Sequence, residues 1–165
     1  MVSTLQSLKI EEIKNIGILL CLSAREEIGA LSVAHYFEAY DPQVVISFDS
    51  CFVSDAVCRR ARNVGNIVLS GGPVICYDPT FNNELNQSII EIAHSANINI
   101  QRYANIYPGR GLNSTWLSSR ANKCIITSIL LPTRYMHSPY EMCSVEDYNA
   151  LKKLIACIIN YYNSM

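Results

Sequence analysis

The sequence predicts an α/β fold built on a largely parallel sheet, and two observations carry this reading. Continuous apolar runs such as GILLCLSA (17–24), VVISFDS (44–50) and CIITSILL (124–131) have the character of strands covered on both faces. Segments of helical pattern separate them, which is the alternation expected of a parallel sheet with helical crossovers. A length of 165 residues, half of them hydrophobic and only 16% charged, fits one folded domain and excludes a disordered chain.

Residues 3–15 read as an amphipathic helix, with Leu5, Leu8 and Ile13 near one face and Lys9, Glu12 and Lys14 elsewhere. Asn15-Ile16-Gly17 ends it, and the first apolar strand follows at 17–24. A helix over 29–40 is closed by the Asp41-Pro42 turn, and a second buried strand at 44–50 ends in an acid. The polar, basic stretch 53–66 reads as a surface excursion. IVLSGGPVI (67–75) is strand-like but interrupted by Gly71-Gly72-Pro73. A helix over 82–97 leads into a period-2 strand, INIQRYA (98–104), then the loop YPGRG and a short helix near 113–121. The strand at 124–131 gives way to the loop PTRYMHSPYE. A last helix spans 145–162, with Ser144 as N-cap and Asp147 completing an acidic variant of the capping box.

Composition narrows the function classes. A net charge of −1 without a basic tract leaves no electrostatic footprint for nucleic acid. The N-terminus lacks a positive segment followed by an apolar one, so no signal peptide is expected. The apolar runs are far shorter than the ~20 residues a membrane helix needs. Seven cysteines without a Cys-x-x-Cys pair support neither a zinc ribbon nor a disulfide scaffold, and a reduced, cytoplasmic protein is the economical expectation.

Three polar clusters sit just after apolar strands: Arg25-Glu26-Glu27-Ile28-Gly29, then Asp49-Ser50, then Arg134-Tyr135-Met136-His137-Ser138-Pro139. Sites in open α/β sheets form at the carboxyl ends of strands. Two carboxylates after one strand, an acid after the next and a histidine after a later one make a candidate site for a hard-to-borderline divalent metal. The doubled glutamate suits a metal hydrolase, where one carboxylate holds the ion and a second, unligated, takes a proton from the bound water. The residues alone leave another reading open, in which Glu26 and Glu27 are solvated acids favoured by a helix dipole. His35 and His94 fall on helical segments and read as packing or surface residues, as do Met136 and Trp116. The Gly71-Gly72 pair lacks a full dinucleotide fingerprint.

The segments together resemble the glutamyl and tetrahedral aminopeptidases. SAREEIGALSVAHYF is similar to that family's Glu-Glu-x-Gly segment, VVISFDS to its strand carrying a ligand Asp, and LSGGPVICYDPTFNNEL to its Gly-x-Gly-Pro segment. ILLPTRYMHSPYEMCSVEDYNAL closely resembles its Pro-x-Arg-Tyr-x-His-Ser-Pro-x-Glu signature, and the matches keep family order from about residue 5 to 162. The resemblance implies a three-layer αβα fold and a dinuclear metal exopeptidase, with zinc or cobalt as the ions and a peptide as substrate. It makes Glu26 the general base and Glu27 and His137 ligands of one metal. Asp49 is then a ligand of the other, and Arg134 and Tyr135 are substrate contacts.

The family also carries, further toward the N-terminus, a His-x-Asp motif, an Asp-Asp-Arg motif supplying the bridging carboxylate, and a small inserted domain. None of these occurs in this sequence. The expectation is therefore a single domain over 1–165 that corresponds to the C-terminal part of the catalytic domain. Its sheet is truncated on the N-terminal side and its metal site is incomplete. Gly111-Leu112-Asn113-Ser114 stands where the family has Gly-Thr-Asp-Ala, so Asn113 removes a charge near the substrate. A sheet lacking its first strands exposes an edge, which implies a homo-oligomer or a companion chain bearing the absent half. The alternative is a non-catalytic remnant or assembly module of the same fold, and a third reading is a protein that simply binds metal through Glu27, Asp49 and His137.

Overall fold

A computed structural model describes residues 4, 6, 8–24, 31–54, 66–104 and 124–165. After a 3-10 turn at Ile10–Glu12 come helix α1 (Leu31–Tyr40), strands β1 (Val44–Phe52) and β2 (Val74–Tyr77), and helix α2 (Asn83–Ser95). Strands β3 (Gln101–Ala104), β4 (Ile125–Arg134) and β5 (Met142–Cys143) and helix α3 (Val145–Asn163) complete the order. The sheet runs β1-β4-β2-β3, with β5 added to β4. It is mixed. β1 lies parallel to β4 over nine positions and β2 parallel to β3, whereas β2 and β5 are antiparallel to β4.

Side chains alternate across the strands and build a core on each face. Val45 and Cys51, Ile126 and Leu130, and Val74 and Cys76 point to one face, against Val33 and Phe37 of α1. Ile46, Ile75 and Ile129 point to the other, against Leu85, Ile89 and Ala93 of α2 and Leu154 and Ile158 of α3. Helices thus cover both faces, the three-layer αβα arrangement that the apolar runs and the resemblance predict. A buried polar contact stitches sheet to helix: Thr127 Oγ1 donates to Asn86 Oδ1, and Asn86 Nδ2 donates to the Cys76 carbonyl at 3.0 Å.

Several boundaries differ from expectation. The run 17–24 forms no strand among the described residues; Ile18 and Leu19 are each 43% exposed and Leu22 69%. Apolar composition makes a strand only where a ladder partner exists, and the described partner of β1 is β4 alone. The helix expected over 3–15 shows helical backbone at Thr4 and Gln6 but only the short 3-10 turn after Lys9. This leading segment is held by the end of α3. Asn163 Oδ1 accepts the Lys14 and Asn15 N–H groups at 2.9 and 3.1 Å, and Asn163 Nδ2 donates to the Glu12 carbonyl at 3.0 Å.

β4 continues through Pro132 to Arg134 instead of ending at 131. The Thr133 carbonyl accepts from Val53 N, so Thr133 faces β1 and the ring nitrogen of Pro132 faces the opposite way. That side is the gap between the end of β2 pairing at Leu130 and the start of β5 pairing at Thr133. No ladder donor is needed there, so proline is tolerated.

Candidate functional site

The antiparallel setting of β2 decides what meets at the carboxyl end of β1 and β4. Asp49 is level with Leu130, Leu130 with Val74, and Val74 with Gln101, one row across the sheet. The Gly71-Gly72-Pro73 turn, which precedes β2, therefore arrives at the end where β1 and β4 finish. The loop after β4, residues 135–141, leaves from this same end and returns through β5 into α3.

The sequence predicts a strand that ends at Asp49-Ser50, but β1 runs on to Phe52, three residues past Asp49. Its side chain is half-buried on the α1 face, and its Oδ1 accepts the Ser50 N–H at 2.7 Å. Ser50 projects to the other face, where its hydroxyl donates to Met136 Sδ at 3.0 Å. That contact ties the 135–141 loop to the Asp49 segment and places His137 one residue beyond the tie. His137 is exposed, and its backbone N–H donates to Glu141 Oε1 at 2.5 Å, which closes the loop on itself. Arg134 ends β4 partly buried, and Tyr135 beside it is 40% exposed.

The loop backbone is strained. Among the described residues, five non-glycine residues have positive φ, and Asp41 and Asn97, just past helix ends, are of types that tolerate it. The other three, Ser70 (60°), Tyr135 (59°) and His137 (64°), all lie at this one end of the sheet. Such conformations cost about 1–3 kcal/mol each and persist only where surrounding contacts over-determine them. The contacts here are specific. Ser70 N and Gly72 N donate to Asp147 Oδ2 and Oδ1 at 2.8 and 2.7 Å. The Gln101 side chain accepts from Val68 N at 2.8 Å and donates to the Val68 and Gly72 carbonyls, each at 2.9 Å. Gly72 has φ +94°, and a Cβ there would sit 2.0 Å from the Asn99 carbonyl oxygen.

Asp147 is thus not a capping-box acid. Ser144 caps α3 as expected, accepting from Glu146 N and Asp147 N, but the Asp147 carboxylate is turned away, 1% exposed, onto the Gly71-Gly72 turn. Sequence spacing reveals a local acceptor for a helix end; it cannot reveal donors some 75 residues away. Glu141, the acid of the signature, closes the His137 turn with its carboxylate, a role that its place in the motif does not reveal. Burial, reinforced by Cys76, Asp49 and Asp147, pushes the Cys51 thiol up to about 12, and burial with Asp78 pushes Cys76 to about 12. Without a nearby cation both stay protonated near neutrality.

Of the expected site residues, the structure brings Asp49, Arg134, Tyr135 and His137 to one end of the sheet. Glu26, Glu27 and Asn113 lie outside the described residues. Among the described residues, no three His, Cys, Asp or Glu side chains are grouped to hold an ion. The chemistry of the donors that are described, one carboxylate and one imidazole, fits a borderline divalent ion such as zinc or cobalt. No described helix is long and apolar enough to cross a membrane.

Residues 1–154 match the profile of a family described as M42 glutamyl aminopeptidase. The lysyl aminopeptidase of Pyrococcus furiosus is 29% identical over 151 residues, which is 90% of this chain and 42% of that protein. Among solved structures, a TET peptidase of Pyrococcus horikoshii, which assembles into a tetrahedron or a large octahedral shell, superposes with a TM-score of 0.79. Its identity is 22%, over 96% of this chain and 45% of that one. A TET aminopeptidase from a marine sediment thaumarchaeote gives 0.71 at 23% identity, over 83% and 38%. The chain therefore spans about two-fifths of the length of these relatives.

Proposed function

The chain belongs to the M42 glutamyl aminopeptidase family, and from that premise we propose that it supplies part of a metal-dependent aminopeptidase site that releases N-terminal residues from peptides. The observation that carries this reading is the convergence at one sheet end of Asp49, the His137 loop and three strained backbone positions. Residues 1–165 act as a single domain, the C-terminal part of the catalytic domain.

In this reading Glu27 and His137 hold one divalent ion and Asp49 the other, with zinc or cobalt as the fitting metals. The ions, when bound, supply Lewis acidity toward the scissile carbonyl and lower the pKa of water. Glu26 takes the proton from the attacking water and returns it to the leaving amine. Arg134 and Tyr135, at the end of β4, and Asn113 contact the substrate. The relative's name makes a lysyl N-terminus the first substrate to try. Peptide turnover requires the ligands that the family supplies from elsewhere, brought by a companion chain, while the exposed sheet edge pairs with that chain or with another copy, in an assembly such as the TET relatives form. A location in the cytoplasm accords with the reduced cysteines expected of the sequence.

Cobalt titration of the full chain, followed by calorimetry, tests the site. Binding in the wild type that is lost in His137→Ala and weakened in Asp49→Asn supports it. Release of 4-nitroaniline from lysyl-4-nitroanilide by the chain reconstituted with a segment bearing the missing ligands, lost in Glu26→Gln, would support the complete reaction. Wild-type protein that binds no cobalt overturns the metal reading in favour of a non-catalytic module of the same fold.

A further inference from the structure

We propose that Asp147 is a positioning residue that locks the loop bearing His137 to the Gly71-Gly72 turn; its relevance to catalysis rests on the function proposed above. Three observations lead here. The Asp147 carboxylate is 1% exposed and spends both oxygens on backbone donors of the turn, Ser70 N at 2.8 Å and Gly72 N at 2.7 Å. The hydroxyls of Ser70 and Ser144 meet at 3.0 Å, a second tie between the same two segments. Ser70 is held at φ 60°, costly for a residue with a side chain, and Asp147 is one of the contacts that keep it there.

The loop transmits the restraint because both its legs are fixed. Its first leg is the end of β4, and its second is β5, paired to Thr133 and Arg134 through Cys143 and Met142. β5 runs directly into Ser144 and the first turn of α3, where Asp147 sits. The span between the legs is closed by Glu141 on His137 N and braced by Ser50 on Met136. Any shift of the α3 start relative to the Gly71-Gly72 turn therefore moves the second leg and with it His137. Asp147 needs no contact with metal or substrate to do this; it sets the backbone from which the imidazole projects.

The test compares Asp147→Asn with Thr127→Val. Asn keeps the size of the side chain but turns a donor toward one of the two N–H groups. Thr127→Val breaks a buried hydrogen bond to Asn86 farther from the site and controls for loss of stability alone. Hydrogen exchange is measured amide by amide, and the affinity for cobalt ions is measured in parallel. Asp147→Asn should speed exchange about tenfold at Ser70 and Gly72 and also within 137–141, with Thr127→Val leaving 137–141 unchanged. Cobalt affinity should fall about ten- to hundredfold in Asp147→Asn, as for supports of metal ligands, and hold in Thr127→Val. Exchange that quickens at Ser70 and Gly72 alone, or equally in both variants, overturns the proposal. If the wild type binds no cobalt, the functional reading fails, and the exchange pattern still decides the role of Asp147.

Discussion

Replacing Gly72 by alanine isolates the cost of the turn at the sheet end. A Cβ at this position would lie 2.0 Å from the Asn99 carbonyl oxygen and 2.8 Å from its carbon, both backbone atoms. Real Cβ atoms do not come within 3.0 Å of such neighbours, so the turn and the 99–101 segment must part by about 1 Å. The left-handed conformation at φ +94° adds about 1–2 kcal/mol for a residue with a side chain. The same movement stretches the Gly72 N bond to Asp147, about 1.5–3 kcal/mol for a charged acceptor, and the Gly72 carbonyl bond from Gln101, about 0.5–1.5 kcal/mol. Taking the low end of each, Gly72→Ala should lose about 3 kcal/mol. For a domain of this size that lowers Tm by about 6–12 °C. Gly17→Ala is the control: nothing lies within 4 Å of its Cβ, and it should stay within about 1 kcal/mol of wild type. Thermal melts followed by circular dichroism decide the matter. A Gly72→Ala protein melting within about 2 °C of wild type would refute the account of the turn.

Three further outcomes follow from other contacts. Ser144→Ala removes the α3 cap and the hydroxyl contact to Ser70, and urea titration should show a loss of about 1 kcal/mol; an unchanged midpoint would count against the cap. Asn163→Ala frees the Lys14 and Asn15 amides, and trypsin should cut after Lys14 several-fold faster, with equal rates contradicting the tie. The Cys51 and Cys76 thiols are raised in the folded state from 9.0 to about 12, so above pH 9 the unfolded chain binds fewer protons than the native one. Stability should hold below pH 9 and fall as pH rises toward 12, by about 1.4 kcal/mol per unit for each thiol. Urea midpoints at pH 8 and 10.5 should show this, and a Cys51→Ala/Cys76→Ala protein that keeps the same slope would exclude these thiols as its source.

The sequence was most informative where a single element supplied its own signal. The helix at 82–97 carries its own helical pattern, and the structure adds a cap not predicted from the sequence, Asn82, whose side chain accepts from Leu85 N. The strand at 124–131 was plain from its apolar run, yet its last three residues were hidden by Pro132, because a proline reads as a stop unless the neighbouring strand pattern is known. GILLCLSA misled for the related reason that burial depends on partners the run cannot name. Within the site, the His137 signature gave the loop, and the acids of β1 gave Asp49. The reach of Asp147 to the Gly71-Gly72 turn was invisible, since it depends on β2 running against β4, and strand direction is a property of the whole sheet. A positive φ at Ser70, Tyr135 or His137 has no compositional mark either, because none is glycine or asparagine.

The sheet order also bears on how the chain reaches its fold. β2, α2 and β3 form one uninterrupted stretch, 74–104, joined by a short crossover, whereas Ser47 and Ser128 of the β1–β4 ladder are 81 positions apart. Closing the longer loop costs more entropy, and distant pairings slow folding. The 74–104 unit is therefore expected to organise early, and the docking of β1 onto β4 to be the slow, committing step. Asp49 and the His137 loop would come together only in that last step. Pulse-labelled hydrogen exchange during refolding should show amides in β2 and α2 protected before those of β1. The candidate site would then be the final part of the molecule to take shape.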